Sequence, residues 1–421
     1  MKRVLYVSPF FPPLSRVGAL DPLKMARALP RHGWEPVVLS DLWPGAAMDP
    51  DLLNAVPENL IVHREFSGRA GDGVPAVQAK ALESAGPVGR FIKGIVDGRE
   101  WLPMGEMGRH MAHAAKRAAE LIRHYGCEAV LAQATPVASL PAAQQAARAT
   151  GLPLVCILGD PWGPCELRRP KRPFYTRMIE DRYEREVVRA ASRIVLYTEQ
   201  ARKDYIRFYP EIPAERFAVI DNGPDPAIFT ERWAGSFPQP TLLYFGSFSE
   251  DMHPTSIVRL LSELKARGGL AADSVCASTA PFPQDDMNLA RSLGVADRIV
   301  TMPRVSYRQA LSTMQAADIL VAIVVTPQRI SAKVYDYLVS ERPVLVISPP
   351  HPQLDSILSR TGAGMRISPD DIGAMADFVA THLRDGRHPR RPRNPEALRA
   401  LDFDAAAMTV AGILDQAVQI P

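Results

Sequence analysis

The stretch Ile319–Pro350 reads ILVAIVVTPQRISAKVYDYLVSERPVLVISPP. Its apolar run, Ile319–Val325, does not alternate with polar residues, which fits a strand covered on both faces. Thr326 to Ile330 is a loop, and Ser331–Val339 has helical spacing. Val344–Ile347 follows Pro343 and reads as a second strand. Strand, helix and strand in this order make a βαβ unit around a parallel sheet.

The same alternation extends in both directions. Upstream strands are expected at Arg3–Ser8, Glu35–Leu39, Glu128–Gln133, Pro153–Leu158, Arg193–Tyr197 and Phe217–Ile220. Helices are expected at Ala19–Leu29, Met107–Tyr125, Ala138–Ala149 and Phe174–Ala191. The segment Asp221–Pro240, DNGPDPAIFTERWAGSFPQP, is rich in turn formers and reads as a linker. Strands then resume at Thr241–Phe245, Ser274–Ser278 and Arg298–Thr301, with helices at Thr255–Lys265, Tyr307–Ala316 and Ile372–Leu383. The expectation is an α/β chain of two domains, 1–220 and 241–402, with residues 403–421 as a helix returning to the first.

Composition narrows the function. The chain has 421 residues, with 49 Lys and Arg against 46 Asp and Glu, a net charge of +3. So small an excess argues against a nucleic-acid partner. Cys127, Cys156, Cys165 and Cys276 form no CxxC pair, so a reduced, cytoplasmic setting is expected. No run reaches the roughly 18 apolar residues of a membrane span. The N-terminal MKRVLYVSPFFPP is too short and proline-broken for a signal peptide and reads as a strand entering a loop. The nine histidines form no H-E-x-x-H pattern, and neither a metal site nor a G-x-S-x-G elbow is expected.

Ligands of open α/β sheets sit beyond the carboxyl ends of the strands. Four loops there carry candidate chemistry. Lys333 and Asp336, in RISAKVYDYL, lie one turn apart on a helix that Ser331 can cap. A lysine suits a diphosphate and a carboxylate suits a ribose diol. Lysine occurs nine times among the 49 basic residues, so its use here is selective. A surface i,i+3 ion pair fits the same residues equally well. Ser247 and His253 follow the strand Thr241–Phe245 and could line a phosphate pocket, although a lone histidine is more often structural. Arg16 and Gly18 lie between the first strand and the first helix, where a helix start can receive an anion. Asp160 and Trp162, in GDPWGP, suit a sugar through hydrogen bonds and a flat indole face; a turn and a packed core residue explain them as well.

Two stretches are locally basic. Arg168 to Arg193 carries nine Lys/Arg and four Asp/Glu, and Arg90 to Arg123 carries seven and four, with Phe91, Ile92, Ile95, Val96, Trp101 and Leu102 interleaved. Such surfaces suit an anionic membrane, or are simply solvated.

Taken together, the ordered motifs resemble the GT-B glycosyltransferases, specifically the glycosyltransferase family 4-like group. The resemblance is carried by VLYVSPFFPPLSRVGALDPLKMARALPRHGWEPVVLS, GLPLVCILGDPW, FAVIDNGPDPAIF, TLLYFGSF, DRIVTMPRVSYRQALSTMQAADILVAI and ISAKVYDYLVSERPVLVISPP. It implies two doubly wound Rossmann-like domains facing across a cleft. It implies a nucleotide-diphosphate-sugar donor as substrate, with no separate cofactor, and a carbohydrate, lipid-linked or small-molecule acceptor. It also implies retention of anomeric configuration. By resemblance, Lys333 meets the diphosphate, Asp336 the ribose, the main chain around Val305 the base, and Gly18 the transferred sugar or phosphate. Ser247 stands where many members carry Arg, and Gln328 and Asp336 stand at the positions of paired glutamates. QATPVAS (133–139) lacks the family's loop histidine, and Gly159 replaces an arginine. Diphosphate clamping then falls to Lys333, with Arg329 beside it. Two rivals share the fold: a non-catalytic interaction protein and a nucleotide-sugar epimerase.

Overall fold

A computed structural model describes residues 1–15, 17–43, 46–68, 103–225, 237–303, 305–387 and 389–419. The chain divides into two units, Met1–Asp221 with Phe403–Pro421, and Asn222–Asp402. The first runs β1 (Lys2–Val7), α1 (Val17–Ala28), β2 (Trp34–Ser40), α2 (Pro50–Asn54), β3 (Ile61–Arg64), α3 (Met111–Tyr125), β4 (Ala129–Gln133), α4 (Ser139–Thr150), β5 (Leu154–Leu158), α5 (Phe174–Ala190), β6 (Arg193–Leu196), α6 (Glu199–Phe208) and β7 (Phe217–Val219). All its strands are parallel, in the order β3-β2-β1-β4-β5-β6-β7.

Both faces of this sheet are covered, which is why its strands read as continuous apolar runs. Leu5 and Val7 enter one cluster with Ala114, Ala118 and Ala143; Val4 and Tyr6 enter another with Leu23, Val410 and Leu414. Each buried Val or Leu among them contributes about 1.5–3 kcal/mol by leaving water. Helix α3 presents Met111, Ala114, Ala115, Ala118 and Ile122 inward at helical spacing and stops at Gly126, whose φ of 64° is left-handed.

The second unit runs β8 (Thr241–Tyr244), α7 (Thr255–Arg267), β9 (Val275–Ser278), α8 (Gln284–Ser292), β10 (Ile299–Thr301), α9 (Tyr307–Ala316), β11 (Ile319–Ile323), α10 (Ala332–Leu338), β12 (Val344–Ile347), α11 (Pro352–Thr361), β13 (Gly364–Ile367), α12 (Ile372–Leu383) and α13 (Pro395–Leu401). Its strands are also all parallel, in the order β10-β9-β8-β11-β12-β13. Leu242 and Tyr244 face one core, Leu243 and Phe245 the other. The last helix, α14 (Phe403–Gln419), belongs to the first unit. There Asp415 accepts from Lys2 (2.8 Å) and from the Trp34 indole (3.1 Å).

Both sheets are therefore doubly wound. Each reverses its strand order once, between β1 and β4 and between β8 and β11, and such switch points are where ligands of these sheets bind. Two strands escaped the sequence reading, β3 and β13. Both are sheet edges with half-polar sequences, IVHR and GMRI, that mimic loops. The expected linker also needs correction at its start. Asn222 is buried, and a Cβ on Gly223 would fall 1.6 Å from the Leu401 carbonyl oxygen, so these residues are packed inside the second unit. Among the described residues no helix is long and apolar enough to cross a membrane.

Candidate functional site

In the second unit the switch point is formed by the ends of β8 and β11. Lys333 reaches it from α10. Its Nζ donates to the Tyr244 hydroxyl at 3.2 Å and lies 4.2 Å from that ring's centroid. No carboxylate pairs with it among the described residues; burial alone acts on its ammonium and pushes its pKa down to about 7. Lys333 thus turns to Tyr244 and not to Asp336, which removes the i,i+3 ion pair as its explanation. Burial holds the Tyr244 phenol protonated at neutral pH, so this partner brings no negative charge.

Gly246 makes room for the ammonium. Its φ is +127°, and a Cβ there would sit 2.5 Å from Lys333 Nζ. Gly246→Ala should therefore displace the ammonium and cost about 1–3 kcal/mol through backbone strain. Chemical denaturation and nucleoside-diphosphate titration of the variant check both effects; unchanged values for both would disprove the packing argument.

Asp336 is buried, and its Oδ1 accepts from the Tyr307 hydroxyl at 2.9 Å. Tyr307 opens α9 behind a capping box of Ser306 and Gln309. Val305 packs its side chain against the same core. Arg329 is half-buried, and its carbonyl accepts from His351 at 3.4 Å. Ser331 occupies the N-cap position of α10, but its hydroxyl makes no capping bond. The Val334 amide that a cap would serve is already taken by the Ser331 carbonyl at 2.9 Å. The helix has seven residues, so little dipole stands behind its start.

Ser247 is exposed just after β8, and its carbonyl receives the Tyr244 hydroxyl at 3.3 Å. His253 is tied to its own loop. Its Nε2 donates to the Glu250 carbonyl at 2.8 Å, and its Nδ1 lies 3.5 Å from Asp286. One ring nitrogen is thus held by the loop's own backbone, while the side chain stays half exposed.

The first unit places Gly18 at the β1/β4 switch point. A Cβ on Gly18 would lie 3.0 Å from Phe10 and 3.3 Å from Thr135, so α1 packs tightly against both loops. Thr135 has a φ of +105°, a strained value for a β-branched residue at the start of the QATPVAS loop's turn. Arg16 lies outside the described residues, as do Phe91 to Leu102 of the basic aromatic stretch.

Asp160 is exposed beyond β5, whereas Trp162 is 3% exposed. The indole face expected to meet a sugar is packed in the core, its Nε1 donating to Glu180 at 3.2 Å. Gly159 has a packing reason too: a Cβ there would come within 3.0 Å of the Tyr197 ring. Sequence reading missed Tyr244, Gly246 and Tyr307. Only Gly246 left a signal, a glycine directly after a buried strand.

Residues 22–223 match a family model described as "Glycosyl transferase 4-like domain". No curated protein matches the chain by sequence. Among solved structures, the chain is similar to a sucrose-phosphate synthase from Thermosynechococcus elongatus, with a TM-score of 0.64, 13% identity and 99% of each chain covered. It is similar to HepE from Anabaena in complex with UDP, with a TM-score of 0.56, 16% identity, and 99% of this chain and 98% of that one covered. A third similar structure is a putative UDP-N-acetylglucosamine 2-epimerase from Listeria monocytogenes, with a TM-score of 0.55, 14% identity, and 97% of this chain and 95% of that one covered.

Proposed function

We propose that the protein is a glycosyltransferase: residues 22–223 match the glycosyl transferase 4-like domain, and the chain has the GT-B fold. It moves a sugar from a nucleotide-diphosphate donor to a carbohydrate, lipid-linked or small-molecule acceptor. The observation that carries this reading is Lys333: a desolvated lysine with no acidic partner among the described residues, at the switch point of the second unit. Such a group is an anion site waiting for its counter-charge.

The diphosphate leaving group gains negative charge as the glycosidic bond breaks. Lys333 meets that charge, and Arg329 adds to it. In this reading the positive charge comes from these side chains. Asp336, oriented by Tyr307, accepts hydrogen bonds from the ribose hydroxyls. The main chain at Val305 contacts the base, and Ser247 contacts donor phosphate or sugar. Asp160 remains for the acceptor. The acceptor enters on the side the diphosphate leaves, which retains the anomeric configuration without a covalent enzyme intermediate. The setting is polysaccharide or glycoconjugate assembly in the cytoplasm.

A calorimetric screen of nucleoside diphosphates and their sugar conjugates tests this, followed by acceptor-dependent release of the diphosphate in chelator. The expected result is saturable binding of one nucleotide series and release that survives the chelator. Absence of binding across the series would reject the proposal. Isomerised sugar formed without acceptor would replace it with the epimerase reading.

A further inference from the structure

The basic stretch from Arg168 to Arg193 folds mostly into α5, and folding sorts its charges. Glu180 turns inward to pair with Arg172, and Glu184 turns inward to accept from the Tyr205 hydroxyl at 2.6 Å. Asp181 is taken by Arg169 at 2.7 Å. The outward face of α5 is left predominantly cationic. Arg182 and Arg185 are exposed on it, and Lys171 is exposed just before the helix; the fourth acid, Glu186, is also exposed there and pairs with Arg182 at 3.3 Å, which leaves the face with a net positive charge.

The first two turns of that face are apolar. Phe174 is 69% exposed, Met178 57%, Tyr175 49% and Ile179 40%. Among the described residues no other element carries more than one exposed large apolar side chain. Residues 174, 178, 182 and 185 follow one helical stripe, so apolar tip and cationic extension share a face.

We propose that this face of α5 docks on an anionic lipid bilayer, with Phe174 and Met178 entering the headgroup boundary and Lys171, Arg182 and Arg185 contacting lipid phosphates. Charge decides between occupants. A second copy meeting the same patch around a two-fold axis would bring Lys171, Arg182 and Arg185 against their own copies with only Glu186 to offset them, and the net like charge repels. A bilayer with acidic headgroups meets both halves of the face favourably.

Flotation of the full chain with vesicles tests this, comparing phosphatidylcholine alone with phosphatidylcholine and phosphatidylglycerol at low salt. Binding is expected only with the acidic lipid. Phe174→Asp with Met178→Asp should lower the partition constant roughly tenfold or more, and Arg182→Glu with Arg185→Glu should do the same. Unchanged melting curves establish that the variants are folded; should the aspartate pair unfold, the arginine pair alone decides. Failure to bind acidic vesicles, equal binding to neutral ones, or binding untouched by the variants would overturn the proposal. So would a dimer in solution that Phe174→Asp dissolves.

Discussion

Lys333→Ala should slow acceptor-dependent release of the nucleoside diphosphate by roughly a hundred- to a thousandfold, about 2.7–4 kcal/mol of transition-state stabilisation. The fold should survive, because α10 is anchored by buried Val334, Tyr335, Tyr337 and Leu338, and not by the lysine. Tyr337 fixes the helix further by donating to the Val321 carbonyl at 3.3 Å and receiving the Phe245 amide at 3.1 Å. Lys333→Arg should rescue poorly. The guanidinium is larger and planar, and the space under Gly246 is sized for an ammonium. Loss of the rate with unchanged diphosphate affinity would place Lys333 at the transition state only; no loss of either would remove it from the site.

The same residue sets a pH dependence. Burial brings its pKa down to about 7, so much of the unliganded protein carries a neutral amine above that pH. A bound diphosphate restores the ammonium, so binding must take up a proton. Affinity should then fall by up to about tenfold per pH unit above about 7. Calorimetry in buffers of different ionisation enthalpy measures the uptake directly, and Lys333→Ala should abolish it. In the absence of ligand the slope has the opposite sense. The unfolded chain holds this proton up to about 10.5, so the group's contribution to stability rises with pH between about 7 and 10.5. A flat affinity profile with no proton uptake would contradict the burial of this lysine.

How much of this could be read from the residues follows from where each constraint originates. Strands buried on both faces announce themselves locally, so β11, β12 and the helix between them were legible in ILVAIVVTPQRISAKVYDYLVSERPVLVI. Edge strands β3 and β13 have one open side, and their polar residues hide them. Lys333 stood out because lysine is scarce in an arginine-rich chain. Its partner Tyr244 lies 89 residues earlier, and no local pattern encodes that pairing. Trp162 was ambiguous because an indole at a strand end serves a ligand or a core equally; Glu180, arriving on α5, settles it. His253 and Ser331 were read by residue type. Their roles are decided by backbone carbonyls, Glu250 in one case and Ser331 itself in the other, which sequence does not place.

Glu180→Ala should produce the largest loss of stability in the first unit, about 3–5 kcal/mol. The carboxylate has side-chain exposure of 5% and the Arg172 guanidinium 7%, so neither charge can turn to water. Besides Arg172, Glu180 accepts from the Met104 amide at 2.7 Å and from the Trp162 indole at 3.2 Å. Removing it takes this carboxylate from a buried cation and leaves two buried donors without their acceptor. Arg172→Met with Glu180→Leu should recover much of the loss, since an apolar pair leaves no uncompensated charge, although Met104 and Trp162 still lack their acceptor. The two units need not unfold together, and this makes the measurement selective. In urea, only the transition of the first unit should move, and it should be the one that alters Trp162 emission. Equal displacement of both transitions, or a change below about 1 kcal/mol, would show that the pair is solvated and that α5 is held by its apolar residues alone.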